Sequence, residues 1–424
     1  MPARAATWGK WVTQSTCRSR PSSASPTNGW AILRTSDGNS TILLRSTDGG
    51  RSWTELTPAA VSAGAGNIPA VGGTLTAPPD NVSMLDAQNG YGWTVDHPVA
   101  VTHDGGRTWT DATPKDPGID PKLTINKGYF VNAQTGWAFS LRSNQDMTVY
   151  GTQDGGQSWT KLATMPVEYG DGNMSVTFTD AQHGWFEEMT AGMGQLSGEL
   201  FATSDGGKTW TKVADSRVGT GAASTPNGAL PFGGQLTAQP DGTLWLSGGQ
   251  RAAGTLGGPG FIWLYKSTDG GKTWSQVSMP IPAGDEQGFT SVSQPTFLGK
   301  VALVTVLYNQ GDSHSVLYTS TDMGKTWKVQ STTLPAGNGP VFGNPMVGWQ
   351  TDGQRIYETQ DGGKSWQQLT ADATLQQALA NRFIGQIDFV DYQNGWAVLS
   401  SRGANPPLLL ATHDGGRTWS KLSH

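Results

Sequence analysis

The chain has 424 residues, a net charge of −5, 14% charged residues, 58 Gly and 24 Pro. An acidic balance without a basic run argues against nucleic-acid binding. No apolar stretch approaches the roughly eighteen residues of a membrane span. The one cysteine, Cys17, permits no internal disulfide.

One octapeptide, Ser/Thr-x-Asp-x-Gly-x-Thr/Ser-Trp, recurs eight times along the chain, first as STDGGRSW at 46–53 and last as THDGGRTW at 412–419. Its aspartates are Asp48, Asp104, Asp154, Asp205, Asp269, Asp322, Asp361 and Asp414. Its tryptophans are Trp53, Trp109, Trp159, Trp210, Trp274, Trp327, Trp366 and Trp419. The tryptophans are spaced 39 to 64 residues apart, so the repeat tiles the whole chain. A period near fifty is that of a four-stranded propeller blade. The expected fold is therefore all-β: one eight-bladed propeller, with seven blades as the alternative if the first unit is partial. The units run approximately over 1–57, 58–113, 114–163, 164–214, 215–278, 279–331, 332–370 and 371–424.

Taken along the chain, the first unit offers Trp8 to Thr13 as a weak first strand, a polar stretch at 17–25, and then NGWAIL at 28–33. Later units repeat the order. An apolar run ends in Asp or Asn, as in Met84-Leu85-Asp86 or Phe389-Val390-Asp391, and a Gly-Trp strand follows, as in TGWAFS at 135–140 and NGWAVL at 394–399. A third strand leads into the octapeptide, and its Trp opens the fourth. The octapeptide thus falls between the third and fourth strands. Its Asp carboxylate suits turn amides, its Gly positions suit positive φ, and its Trp suits burial between sheets. The fifth unit has Leu244-Trp245-Leu246 at the second strand; the sixth has Val301 to Val304 and no Trp there. One helix is expected at 371–380, where Leu375, Leu379 and Phe383 are four apart and Thr370 or Asp372 can cap it.

These boxes resemble the Asp-box, or BNR, repeat of β-propellers. That family includes sialidases, xyloglucanases, sortilin-type receptors and the photosystem II assembly factor. The pairing of Phe-x-Asp-x-x-x-Gly-Trp-Ala-Val with Thr-x-Asp-Gly-Gly-x-Thr-Trp is most similar to the assembly-factor-like branch, which includes many secreted bacterial proteins. The resemblance implies that the boxes are structural and lie away from the functional face. It implies an extracellular or periplasmic protein, although the N-terminus shows no basic-then-apolar leader.

Catalysis has weaker signals. A sialidase clamps a carboxylate with three arginines. The arginines expected between second and third strands, Arg142, Arg251 and Arg402, fall in non-adjacent units. Other glycosidases need two carboxylates across a cleft. Glu168 and Asp171 precede the first strand of blade 4, and Glu187 and Glu188 end its second strand, so these four are the catalytic candidates. The same four would suit Ca²⁺; otherwise no metal or cofactor is expected. The six histidines show no ligand spacing, and no Gly-x-Ser-x-Gly nucleophile motif occurs.

A binding surface fits better. Long connections are expected on one face, at 57–80, 113–127, 187–198, 214–235, 248–260 and 278–291, and such loops on a rigid scaffold carry recognition. Tyr169, Phe232, Phe289 and Tyr308 are the aromatic candidates there, with the three arginines above. The expected function is a non-catalytic scaffold binding a protein or glycan partner as a monomer. The alternative is a sialidase- or xyloglucanase-like hydrolase.

Overall fold

A computed structural model describes residues 28–34, 41–48, 52–56, 73–94, 96–115, 125–142, 146–167, 173–192, 195–216, 235–239, 241–247, 262, 264–285, 291–308, 314–335, 339–401 and 408–421. Their strands form eight antiparallel sheets, each built from consecutive strands. The chain folds as an eight-bladed β-propeller with one octapeptide between the third and fourth strands of each blade. Blade 1 shows three strands among the described residues, Gly29–Arg34, Thr41–Ser46 and Thr54–Glu55; the candidate first strand at 8–13 lies outside them. In blade 6 the first strand is split into Ser291–Val292 and Thr296–Leu298, both paired with Val301–Tyr308.

First strands of neighbouring blades touch one another: Ile125–Phe130, Asn173–Phe178 and Gln235–Ala238 follow in succession. These strands therefore surround the propeller axis. The ring closes where Trp53 of blade 1 meets Trp396 of blade 8 edge-on, with centroids 5.9 Å apart, in a cluster with Leu44, Val398 and Leu409.

The octapeptide forms its turn through hydrogen bonds made almost wholly within itself. In blade 2, Asp104 Oδ1 accepts from the Thr102 hydroxyl (2.9 Å) and the Thr108 amide (2.9 Å), and Oδ2 accepts from the Thr108 hydroxyl (2.7 Å). The Thr102 hydroxyl oxygen accepts from the Gly106 amide. In all eight boxes the second hydroxyl meets the aspartate at 2.5–2.7 Å. The two glycines sit at φ near +74° and +90°, the left-handed region open to glycine. Box amides also donate to the turn between the first and second strands, as Gly105 does to Gln88 and Gly415 to Gln393. Boxes and those turns therefore share one rim. The second-to-third-strand hairpins and the interblade connections share the other.

In blades 1, 3, 4 and 7 the Trp of the Gly-Trp strand locks the ring. Its indole N–H donates to the first box glycine carbonyl of the next blade: Trp30 to Gly105 (2.9 Å), Trp137 to Gly206 (2.8 Å), Trp185 to Gly270 (2.9 Å) and Trp349 to Gly415 (2.9 Å). In boxes 2, 4, 5, 6 and 8 the box Trp donates to the second glycine carbonyl of its own box, as Trp109 does to Gly106, whereas Trp159 donates to the Ala112 carbonyl. Box 6 departs from this pattern. Met323 replaces its first glycine and is the one non-glycine at positive φ (60°) among the described residues. The Trp that faces it, Trp245, is buried with its Nε1 unbonded. Left-handed backbone costs a residue with a Cβ about 1–2 kcal/mol. Met323→Gly is therefore expected to stabilise the fold by about 1 kcal/mol in urea unfolding.

Between blades 7 and 8 the helix Ala373–Leu379 forms at the expected place. Asp372 caps it, accepting from the Leu375 amide at 2.9 Å, and Leu375 and Ala378 are buried.

The boxes also set an acid limit. Burial pushes the box carboxyls upward, and the hydrogen bonds outweigh it, leaving Asp104, Asp154, Asp205, Asp269 and Asp414 below the ordinary carboxylate value. At Asp361 the Ser365 hydroxyl is the largest influence, and the pKa falls to about 2. A depressed carboxylate stabilises the fold above its unfolded pKa of about 3.9, and that stability is lost as pH falls through the folded value. Thermal unfolding followed by circular dichroism is expected to show Tm dropping steeply between pH 4 and pH 2.

Candidate functional site

On the rim opposite the boxes, the described residues bring together a polar and aromatic group at blade 6. Tyr308 ends the second strand, His314 opens the third (His314–Ser320), and Asp285 lies in the connection entering the blade. His314 Nε2 meets Asp285 Oδ2 at 3.1 Å. The imidazole stacks on Tyr308 with centroids 5.7 Å apart and planes 17° apart. The Tyr308 hydroxyl bonds the Tyr318 hydroxyl at 3.0 Å. Strand pairing sets this up, because Tyr308 is the register partner of His314. Burial raises both tyrosine pKa values; at Tyr308 the Tyr318 hydrogen bond opposes it, while at Tyr318 the Tyr308 hydrogen bond and the Asp285 charge add to it. Both phenols therefore stay protonated at neutral pH. Tyr308 is 1% exposed, whereas the His314 side chain is 29% exposed. His314 is thus the part of this group that a ligand can reach. Of the group, only Tyr308 stood out in the sequence as a contact residue.

The blade 4 acids take different places. The segment 187–198, read as a loop from the sequence, is a hairpin: the strands Gly184–Gly192 and Gln195–Thr203 pair along their full length. Glu187 and Glu188 are therefore mid-strand and point to opposite faces of the sheet. Glu187 shares its face with Trp185, whose indole bonds blade 5, and with its register partner Leu200. It is 1% exposed and neither carboxylate oxygen has a hydrogen-bond partner. Burial raises its pKa to about 8. Glu188 lies on the Phe186 face, which stacks on Phe139 of blade 3. It is fully buried directly opposite Glu199, which Lys212 meets at 2.5 Å. Arg142 ends the second strand of blade 3, Gly136–Arg142. Glu168, Tyr169, Asp171, Arg251, Arg402, Phe232 and Phe289 lie outside the described residues.

One further acid sits near the axis. Asp388 is on the first strand of blade 8, Arg382–Phe389, paired with Trp396. The same register position holds Ser83, Tyr129, Thr177, Thr237, Thr296 and Val341 in blades 2 to 7. Asp388 is therefore the only acid at that level among the described residues. Burial raises its pKa to about 6, against a hydrogen bond from the Phe389 amide. No group of three His, Cys, Asp or Glu with metal-holding geometry occurs among the described residues. No helix of the described residues is long and apolar enough to cross a membrane.

Eight sheets, each pinned by an aspartate-centred turn, define the molecule as an Asp-box β-propeller. The chain carries the BNR/Asp-box repeat and resembles the propellers that share it. The family described as "BNR/Asp-box repeat" matches residues 265–276, and that described as "Photosynthesis system II assembly factor YCF48" matches 340–424. A xyloglucanase of Paenibacillus sp is 24% identical over 310 residues, covering 71% of this chain and 24% of that protein. A sialidase of Micromonospora viridifaciens is 24% identical over 210 residues, covering 46% of this chain and 28% of its own length. The chain thus spans about a quarter of the length of the curated relatives it matches. Among solved structures, YCF48 bound to a D1 peptide is 19% identical, with 82% of this chain and 95% of that chain covered and a TM-score of 0.43.

Proposed function

We propose that this chain is a non-catalytic, extracytoplasmic scaffold that binds a partner protein or glycan, as a monomer and without a cofactor, on the rim opposite its boxes. The placement of the acids carries this reading. Box carboxylates are saturated by their own turns, Glu187 is walled between blades 4 and 5, and Glu188 and Glu199 are buried against blade 3. Asp388 has no second acid at its level among the described residues. Hydrolysis of a glycosidic bond needs two carboxyl groups facing one cleft, and no such pair stands among the described residues. The assembly-factor family matched at 340–424 is in keeping with a binding role.

His314, partly exposed and held by Asp285 and Tyr308, is the proposed anchor on that rim. The test is binding of the purified chain to arrays of unstructured peptides and of polysaccharides. The expected result is a saturable ligand whose affinity falls about tenfold or more in His314→Ala and Asp285→Asn, the loss of one good polar contact. Binding indifferent to both substitutions would remove this rim from the account.

The second reading is a xyloglucanase- or sialidase-like hydrolase. One observation favours it: Glu187, with its pKa raised to about 8, carries a proton at neutral pH as a general acid must.

A further inference from the structure

A pocket of about 300 Å³ opens between blades 1 and 2 on the box-bearing rim, away from the proposed binding rim. Its lining includes Arg45, Arg107, Thr47, Thr54 and Glu55. Arg45 immediately precedes box 1, and Arg107 is the sixth residue of box 2, the variable residue just before the Thr/Ser-Trp pair. The propeller brings these two positions together at each junction between blades.

The junction of blades 7 and 8 shows the arrangement with opposite charges. There Glu358 precedes box 7 and Arg417 is the variable residue of box 8. Arg417 Nη2 donates to both Glu358 carboxylate oxygens, at 3.3 and 3.0 Å. Boxes 2 and 8 have the same sequence, THDGGRTW, and their arginines adopt the same pose. Arg107 Nη1 donates to the Asp104 carbonyl at 3.1 Å, and Arg417 Nη1 to the Asp414 carbonyl at 2.6 Å.

In blade 1 the position of Glu358 is taken by a second arginine. Arg45 Nη1 reaches the same Asp104 carbonyl at 3.4 Å, so two guanidinium groups converge on one oxygen. Arg45 is fixed there. Its Nη2 donates to the Ala87 carbonyl (2.9 Å) and to Asn28 Oδ1 (3.5 Å), and its guanidinium lies 5.5 Å from the Trp30 ring centroid. It is 7% exposed, and its buried Nε has no hydrogen-bond partner. Burial, and then the Arg107 charge, lower its pKa against the pull of Asp104. The Asp104 oxygens are already taken by Thr102 and Thr108. At the other described junctions the position before the box holds uncharged Val101, Gly151, Ala202 and Thr319, or Lys266, which is half-buried over the Trp245 ring. Only blades 1 and 2, among these, bury one cation against a second.

We infer that this pocket binds a compact oxyanion, seated between Arg45 and Arg107 as the Glu358 carboxylate is seated against Arg417. A guanidinium fork matches the oxygen spacing of carboxylate, phosphate and sulfate. The bound anion relieves two like charges, one of them desolvated. Thr47 and Thr54 line the pocket with further hydroxyl donors. Glu55, the acid of the lining, limits the ligand to a small anion.

The test uses the full chain at low and matched ionic strength. Sodium phosphate, sulfate and acetate are titrated against sodium chloride, by thermal shift and by calorimetry. The expected result is saturable stabilisation by at least one of the three and none by chloride. Preference for phosphate or sulfate identifies a tetrahedral ligand, and preference for acetate a carboxylate. Arg107 is exposed, so Arg107→Gln leaves the fold in place and is expected to weaken binding about tenfold or more. Glu55→Gln is expected to tighten it severalfold. Absence of saturable binding by all three anions, or unchanged affinity in Arg107→Gln, would overturn the inference.

Discussion

Trp349→Ala is expected to destabilise the propeller by about 3–5 kcal/mol, the range for deleting a large buried aromatic side chain. Trp349 is fully buried. Its ring stacks on Phe389 of blade 8 with centroids 3.7 Å apart and planes 5° apart. Its Nε1 donates to the Gly415 carbonyl. Alanine removes the stack, leaves a cavity and strips a buried carbonyl of its donor. The same indole touches both the first strand and the box of the next blade, so the loss falls on the junction rather than on blade 7 alone. Urea unfolding of Trp349→Ala beside Trp349→Phe separates the parts: phenylalanine should recover the stack and leave only the hydrogen bond missing, about 1–2 kcal/mol. Equal losses in both variants would place the stabilisation in the hydrogen bond and not in the packing.

Glu187→Gln is expected to act in the opposite direction and only at neutral or alkaline pH. The carboxyl is buried without a hydrogen-bond partner, and its pKa is raised from 4.5 to about 8. Between those values the folded state holds a proton that the unfolded chain releases. The raised pKa therefore makes stability fall as pH rises through this window. At about 1.4 kcal/mol per unit, the penalty is on the order of 3 kcal/mol by pH 7. At pH 4.5 the folded carboxyl is protonated and the unfolded one half protonated, so the penalty shrinks to about 0.4 kcal/mol. Glutamine is neutral throughout, so Glu187→Gln should unfold at a higher temperature than the parent at pH 8 and close to it at pH 4.5. The box aspartates produce the opposite slope below pH 4, so stability should peak near pH 4–5. A Glu187→Gln variant that tracks the parent at both pH values would mean that this carboxyl is solvated or paired.

The residues that were legible in the sequence are those whose partners lie close in the chain. Each box aspartate is satisfied by hydroxyls two residues before and four residues after it, so the spacing itself reveals the turn. The helix at 373–379 was legible for the same reason, since its cap and buried face fall within one short segment. The locks between blades were not. Trp349 and Gly415 are 66 residues apart, and nothing in either local sequence names the other as its partner. Residues 187–198 read as a loop because Gly192 and Gly198 and the two glutamates look solvated; pairing across the hairpin buries the acids instead. Asp285 and His314 are 29 residues apart and belong to no repeated motif. The Arg45 and Arg107 pair had a usable signal, the residue before each box read against the variable residue of the next, but only a ring of eight blades gives that comparison meaning.

The most direct test of the proposed role is turnover of xyloglucan and of an aryl sialoside by the purified chain, followed as released reducing ends and as released aglycone. A binding scaffold whose carboxylates are spent on turns and interblade walls predicts no release above buffer from either substrate, and the same for Glu187→Gln and Glu188→Gln. Sustained release that disappears in either variant would contradict it and make blade 4 an active site.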